Sequence, residues 1–320
     1  MRKNQNSSCK QDRVNGVLLI ALSATGFGAM PVFTRYAYAD GADLYGVLIT
    51  RFWVAGLALL AVAYMRKLAW PPLPLILRLA ALGGFGYVGM SYCYFSALNY
   101  MPASLAALLL YVYPTIVTLL AALFLHERIT AVKLAALLLC SLGTALTIGP
   151  NMHGAAAEIS ALGIGLALAA AMIYASYITV GTKISQRVDP IMTTLVVCLA
   201  AAAVFTLLAL IRTAIGVPPQ FPQTASGWIG VAGVTIFSTV IAVIAFFAGL
   251  KRLGASQSSM LSTLEPVVTI GLAAGLLSES LSDWQLLGGA LTLTGVIWLA
   301  GSGKDAEVIL AQHQKLTDSA

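Results

Sequence analysis

The chain has 320 residues, 59% of them hydrophobic and 9% charged, against about a quarter charged in an average soluble domain. At a mean hydropathy of +0.88 it has too few polar side chains to cover a water-soluble globule, whereas a bilayer solvates apolar surface directly. The net charge of +6 is spread over loops and tails rather than gathered in one patch, which argues against a nucleic-acid partner.

In chain order, a polar tail over 1–15 precedes apolar segments at 16–34, 44–65, 75–98, 102–125 and 131–148. Five more follow at 161–182, 190–211, 228–250, 257–277 and 283–300, with a second polar tail over 302–320. A spanning helix needs roughly 20 apolar residues, so ten use about 200 and leave about 120 for connections, without space for a soluble domain. The runs are long, continuous and rich in Leu and Ala, which favours helix over the alternating strands of a barrel. The first run is too long for a signal peptide and contains Gly26, Gly28 and Pro31, so it reads as a retained helix. Pro218, Pro219 and Pro222 mark a turn-rich loop between segments seven and eight. Val308 to Ala311 is a short apolar stretch in the last tail, open to a surface helix or to disorder. Cys9 lies in the first tail and Cys93, Cys140 and Cys198 lie in apolar runs, all read as free thiols.

With the N-terminus in the cytoplasm, all of the 18 basic residues except Arg35, Arg51 and Arg212 fall on the cytoplasmic side. The positive-inside rule therefore predicts a cell inner-membrane protein with both termini cytoplasmic. A shift of 152 residues superimposes Ala103-Ser104 on Ala255-Ser256, Pro114 on Pro266, Glu127 on Glu279 and Gly143 on Gly295 without a gap. Phe85, Tyr94 and Phe95 meet Phe237, Phe246 and Phe247 at the same shift, and a shift of 147 places Met30 on Tyr177. Five helices per half is an odd number, so the second half enters the membrane from the opposite face. The predicted fold is an all-α integral membrane protein of two inverted five-helix repeats, 16–150 and 151–301, an arrangement used for alternating access.

Arg51-Phe52 at helix 2, the run Tyr92-Cys93-Tyr94-Phe95-Ser96-Ala97-Leu98 before Ala103-Ser104, and the pairs Pro114/Glu127 and Pro266/Glu279 carry a family likeness. Together they resemble the drug/metabolite transporter superfamily, EamA type, over residues 16–301, and by general likeness its amino-acid exporter branch. The resemblance implies a secondary transporter of small metabolites that works without ATP. Nucleotide sugars, phosphorylated metabolites or drugs are the alternative substrates of so broad a superfamily.

Glu265 is the only acidic residue in the middle of a predicted helix, about eight residues or roughly 12 Å from its cytoplasmic end. An intramembrane charge is costly, and two readings compete: a site for a substrate amine or proton, and a structural acid bonded to neighbouring hydroxyls. Ser258, Ser262 and Thr269 share its helical stripe. Pro266 after it, and Pro114 after Tyr113, predict kinks that free backbone carbonyls at membrane depth.

Tyr87, Ser91 and Tyr94 on helix 3, Tyr111 and Tyr113 on helix 4, Tyr174 and Tyr177 on helix 6, and Phe27 and Met30 on helix 1 compose a candidate aromatic pocket. Such faces attract an ammonium group by roughly 0.5 to 2 kcal/mol, although helix packing alone also accounts for aromatics at this spacing. For Arg51, outward snorkelling, an acid partner and a substrate carboxylate are open, and the resemblance of Arg51-Phe52 to the family's Arg-Phe pair implies a structural role. Its depth differs from that of Glu265 by about 6 to 9 Å, which permits a direct pair. Glu127, Glu279, Thr130 and the Ser282-x-x-Gln285 box read as helix-end structure.

His126, His153 and His313 show no metal-binding spacing, and no nucleotide-binding glycine loop follows a strand. The expectation is a non-enzyme without cofactor or metal, whose partners are a small-molecule substrate and the lipid bilayer.

Overall fold

A computed structural model describes residues 2–101, 103–148, 160–277 and 281–302. Glu279, His153, His313 and the tail stretch from Val308 to Ala311 lie outside them. Among the described residues, ten helices are long and apolar enough to cross a membrane. They are α1 Gln11–Ala39, α2 Leu44–Met65, α3 Leu73–Ala97, α4 Leu105–Phe124 and α5 Ala131–Ile148, then α6 Ala161–Ser185, α7 Pro190–Ala214, α8 Ala225–Leu253, α9 Ala255–Leu276 and α10 Asp283–Gly301. The protein is a multi-pass membrane protein.

The limits of α2 and α5 coincide with the sequence reading, and α1 runs on past residue 34. A single charge, Arg35, does not end a helix; the turn at Gly41, with φ +85°, does. α8 likewise ends where Gly254 takes φ +80°. Beyond α1, the carboxylate of Asp40 accepts the Thr224 N–H at 2.6 Å. That backbone hydrogen bond holds the Asp40 carboxyl below the usual carboxylate range.

The packing has internal two-fold logic. α5 lies along α10 and α2 along α7; α1 packs on α8 as α6 packs on α3, and α1 packs on α9 as α6 packs on α4. Exchanging the first five helices for the second five maps this set of neighbours onto itself. Near the axis relating the halves, a residue meets its own repeat mate: Cys140 Sγ lies 3.9 Å from the carbonyl oxygen of Thr292. The halves approach so closely there that a Cβ on Gly143 would come within 2.6 Å of the Gly288 carbonyl oxygen, and the reverse holds equally.

Among the described residues each half also carries one π-helical turn, at matching places, Leu82–Tyr87 in α3 and Ile236–Ile241 in α8. A π-turn shifts the helical register and re-aims the side chains that follow. Leu18, Leu22, Leu138, Leu142, Leu293 and Ile297 point outward in an apolar coat, where hydrocarbon replaces water.

Candidate functional site

Two interrupted helices build the centre. α4 stops at Leu110 and restarts at Tyr113, and α9 stops at Leu261 and restarts at Leu264. Pro114 and Pro266 therefore do not kink continuous helices as the sequence predicts. Each lies in the first turn of a new half-helix, where a missing N–H costs little. Glu265 occupies the same first turn, where its N–H bonds back across the break to the Ser262 carbonyl at 3.0 Å.

Glu265 is half-buried, and Tyr111 is the hydrogen-bond partner of its carboxyl group. Tyr94, Tyr113 and Tyr174 lie near enough to act on it electrostatically. The fully buried Tyr113 also approaches Ser262 and the carbonyl oxygen of Ser259, at 3.5 Å. The serine and threonine stripe turns elsewhere: the Ser262 hydroxyl donates to the Ser258 carbonyl at 2.9 Å. Thr269 donates to the Gly28 carbonyl of α1 at 3.0 Å, beside the interruption of α1 at Ala29.

From Glu265 the tyrosines continue as one ladder of ring contacts. Tyr111 lies 6.0 Å from Tyr113, Tyr113 4.7 Å from Tyr174, Tyr174 6.1 Å from Tyr177, and Tyr177 6.2 Å from Tyr87. Tyr87 meets Phe52 edge-on at 5.2 Å, and Phe52 stacks on Phe205 at 5.9 Å. Arg51 closes this end. Its guanidinium donates to the Tyr87 hydroxyl and to the Met30 sulfur, each at 3.1 Å, and covers the Phe52 ring at 4.7 Å. The arginine is 2% exposed, so it does not snorkel. No carboxylate lies within ion-pair distance of it among the described residues.

The site residues proposed from sequence thus divide into two poles: Glu265 with Tyr94, Tyr111, Tyr113, Tyr174 and Ser262, and Tyr87 with Met30, which the structure joins through Arg51, a residue read from sequence as structural. Tyr177 joins them. Ser91 donates back to the Tyr87 carbonyl at 2.9 Å and lines a crevice of about 350 Å³ between α2, α3 and α7. Tyr45, Phe95, Asn99, Phe205 and Arg212 also line this crevice. Among the described residues no three His, Cys, Asp or Glu side chains gather as a metal site.

One tie was missed in the sequence. Glu127 caps not its own neighbour α5 but the start of α9, accepting the N–H of Ala255 at 2.8 Å and of Ser256 at 3.4 Å. Lys133, itself 2% exposed, pairs with it at 3.4 Å. A Cβ on Gly254 would meet the same carboxylate at 2.7 Å. The signal was present in the repeat itself, because the glutamate and the Ala-Ser pair recur together in both halves.

An inverted pair of five-helix halves, with interrupted helices meeting at a polar, aromatic centre, is the architecture of a membrane transporter. Comparison with known proteins agrees. The model of the EamA-like transporter family matches twice, at residues 14–149 and 161–301, and the chain belongs to that family, within the drug/metabolite transporter superfamily. The aromatic amino acid exporter YddG of Ancylobacter novellus is 27% identical, over 86% of this chain and 92% of that protein. A probable amino-acid metabolite efflux pump of Escherichia coli is 29% identical, over 76% and 83%. A solved structure at 23% identity superimposes with a TM-score of 0.73 over 91% of this chain and 96% of that one, a likeness of fold. The family's relatives are transporters, not enzymes.

Proposed function

We propose that the protein is a secondary exporter of amino acids, working by alternating access around the Glu265 centre. It sits in the cell inner membrane with both termini cytoplasmic and with 16–150 and 151–301 as its two repeats. The observation that carries this reading is the lone carboxyl group of Glu265, set at an interrupted helix among tyrosines of α3, α4 and α6. A carboxylate beside aromatic faces suits a substrate ammonium group and an apolar or aromatic side chain. The same carboxylate takes a proton when the substrate leaves, so amine and proton exclude one another, and export draws on the proton gradient or on the substrate's own. A carrier of nucleotide sugars or phosphorylated metabolites is less favoured, since such anions call for several cations and Arg51 is the only one described at this site. One relative named as an aromatic amino acid exporter and one named as a probable amino-acid metabolite efflux pump support the substrate class.

Counterflow in proteoliposomes tests the reading. Vesicles loaded with each amino acid in turn are expected to accelerate entry of a labelled neutral amino acid for a subset of side chains. Glu265→Gln is expected to lower that rate about tenfold, equivalent to about 1.4 kcal/mol, and to flatten its dependence on pH. Background rates for all twenty would overturn the amino-acid reading, and an unchanged pH profile in the variant would overturn the proton exchange.

A further inference from the structure

Arg51 is a full positive charge at membrane depth whose nearest polar partners are a phenol and a thioether. A guanidinium has five N–H donors, and its recorded bonds go only to the Tyr87 hydroxyl and the Met30 sulfur. The Nε–H is buried and has no partner. Thioether sulfur is a weak acceptor, and a ring face gives a cation far less than a carboxylate does. A buried charge left in this condition is costly unless a counter-charge arrives.

The surroundings point to where one arrives. Phe52, under the guanidinium, stacks on Phe205, and Phe205 with Ser91 lines the crevice between α2, α3 and α7. Tyr87, which holds the guanidinium, is also the last rung of the ladder that begins at Glu265. The arginine thus lies behind Phe52 and Phe205, between that crevice and the aromatic centre, supported by side chains from three helices: Met30 of α1, Phe52 of α2 and Tyr87 of α3. The free donors and the planar fork fit a carboxylate, which accepts two parallel hydrogen bonds. A phosphate dianion would bring two charges to one cation and leave the second unbalanced.

We propose that Arg51, positioned by Tyr87, is a carboxylate-binding subsite of the transport pathway, so that every good substrate carries a carboxylate. This rests on the central cavity being the substrate site, and it makes the carboxylate, rather than the amine or the side chain, the obligatory group. Arg51 and Glu265 then act as the anion and cation poles of one aromatic-lined path.

The test uses purified full-length protein and matched ligands with methyl, isobutyl and benzyl side chains: amino acids, amines lacking the carboxylate, carboxylates lacking the amine, and phenylphosphonate. Binding is read as thermal stabilisation, and transport as counterflow. Amino acids and simple carboxylates are expected to bind the wild type, while the amines bind at least about tenfold more weakly. Arg51→Gln should erase that preference. Arg51→Lys, which keeps the charge without the fork, should retain part of it, and Tyr87→Phe should weaken carboxylates without affecting amines; these two variants carry the test if Arg51→Gln does not fold. Carboxylates binding with Arg51 dependence while amino acids fail would sustain the subsite and sink the amino-acid reading. Equal binding of amines and carboxylates, unchanged carboxylate affinity in the Arg51 variants, an Arg51-dependent response to phenylphosphonate alone, or silence of every ligand would overturn the subsite.

Discussion

The two interrupted helices, α4 and α9, are the same device built twice and used differently. Each breaks for two residues and restarts with proline in its first turn, and each restart lies near the centre. In α4 the residue before the proline is Tyr113, 2% exposed and packed into the ladder. Its repeat mate in α9 is Glu265, half-buried with a carboxyl group bonded to Tyr111. Duplication supplied the backbone geometry, and divergence of one side chain placed the charge in a single half. Symmetry governs the packing, and asymmetry governs the chemistry.

The sharpest way to break the symmetric part is at the axis. Gly143 in α5 and Gly288 in α10 face each other's backbone, which cannot move aside as a side chain tip does. Gly143→Leu is expected to cost at least about 3 kcal/mol, at the upper end of overpacking effects. The check is a large fall in the thermal unfolding midpoint in detergent, together with loss of folded yield. Gly165, beside which nothing lies within 4 Å, provides the control, and Gly165→Leu should leave the midpoint unchanged.

Glu127 probes the symmetry between faces. Its carboxylate fastens the start of α9 to the connection between α4 and α5 and neutralises buried Lys133. Glu127→Gln keeps an acceptor for the Ala255 N–H but strands the lysine charge, at an expected cost of about 3 kcal/mol. Loosening the start of α9 should also raise labelling of a cysteine placed at Ser256, which is 1% exposed. Unchanged stability and labelling would mean that the tie does not hold the start of α9 in place.

Much of the fold was legible because membrane helices declare themselves by length and apolarity, and because the 152-residue shift relates Pro114 to Pro266 and Gly143 to Gly295 without alignment gaps. The centre was legible as a set of residue types, Glu265 and the tyrosines, but not as two poles. The contact joining Glu127 to Ala255 spans 128 residues, and that joining Arg51 to Tyr87 spans 36. No local periodicity encodes either. The π-turns and the helix breaks also escaped, since both depend on how the backbone accommodates neighbouring helices. Proline marked the place but not the outcome, because a kink and a restart share the same residue.

Substituting the two mates separately measures the asymmetry at the centre. Glu265→Gln removes the charge and is expected to slow transport about tenfold, whereas Tyr113→Phe removes only a hydroxyl whose contact to the Ser259 carbonyl is long, at 3.5 Å. The tyrosine variant should stay within about twofold of wild type, or about 0.4 kcal/mol. Equal losses would mean that both halves contribute chemistry and that the centre is functionally symmetric.

The smallest expected difference lies at another pair of mates, Thr130 and Ser282, which start α5 and α10. The Ser282 hydroxyl accepts the Gln285 N–H at 3.3 Å, and the Gln285 side chain reaches back to the Ser282 N–H at 2.9 Å, completing a capping box. Thr130 accepts the Lys133 N–H at 3.3 Å, but the residue at the position of Gln285 is Lys133, whose side chain is engaged with Glu127. Ser282→Ala should therefore cost about 1 kcal/mol, and Thr130→Ala less, since a lysine side chain has no acceptor with which to close a capping box. Thermal unfolding midpoints of the two variants, measured side by side, give the comparison. A larger loss for Thr130→Ala would mean that its hydroxyl supports the Glu127–Lys133 tie rather than the helix end alone, so that the first half's cap serves the contact between halves while the second half's cap serves only its own helix.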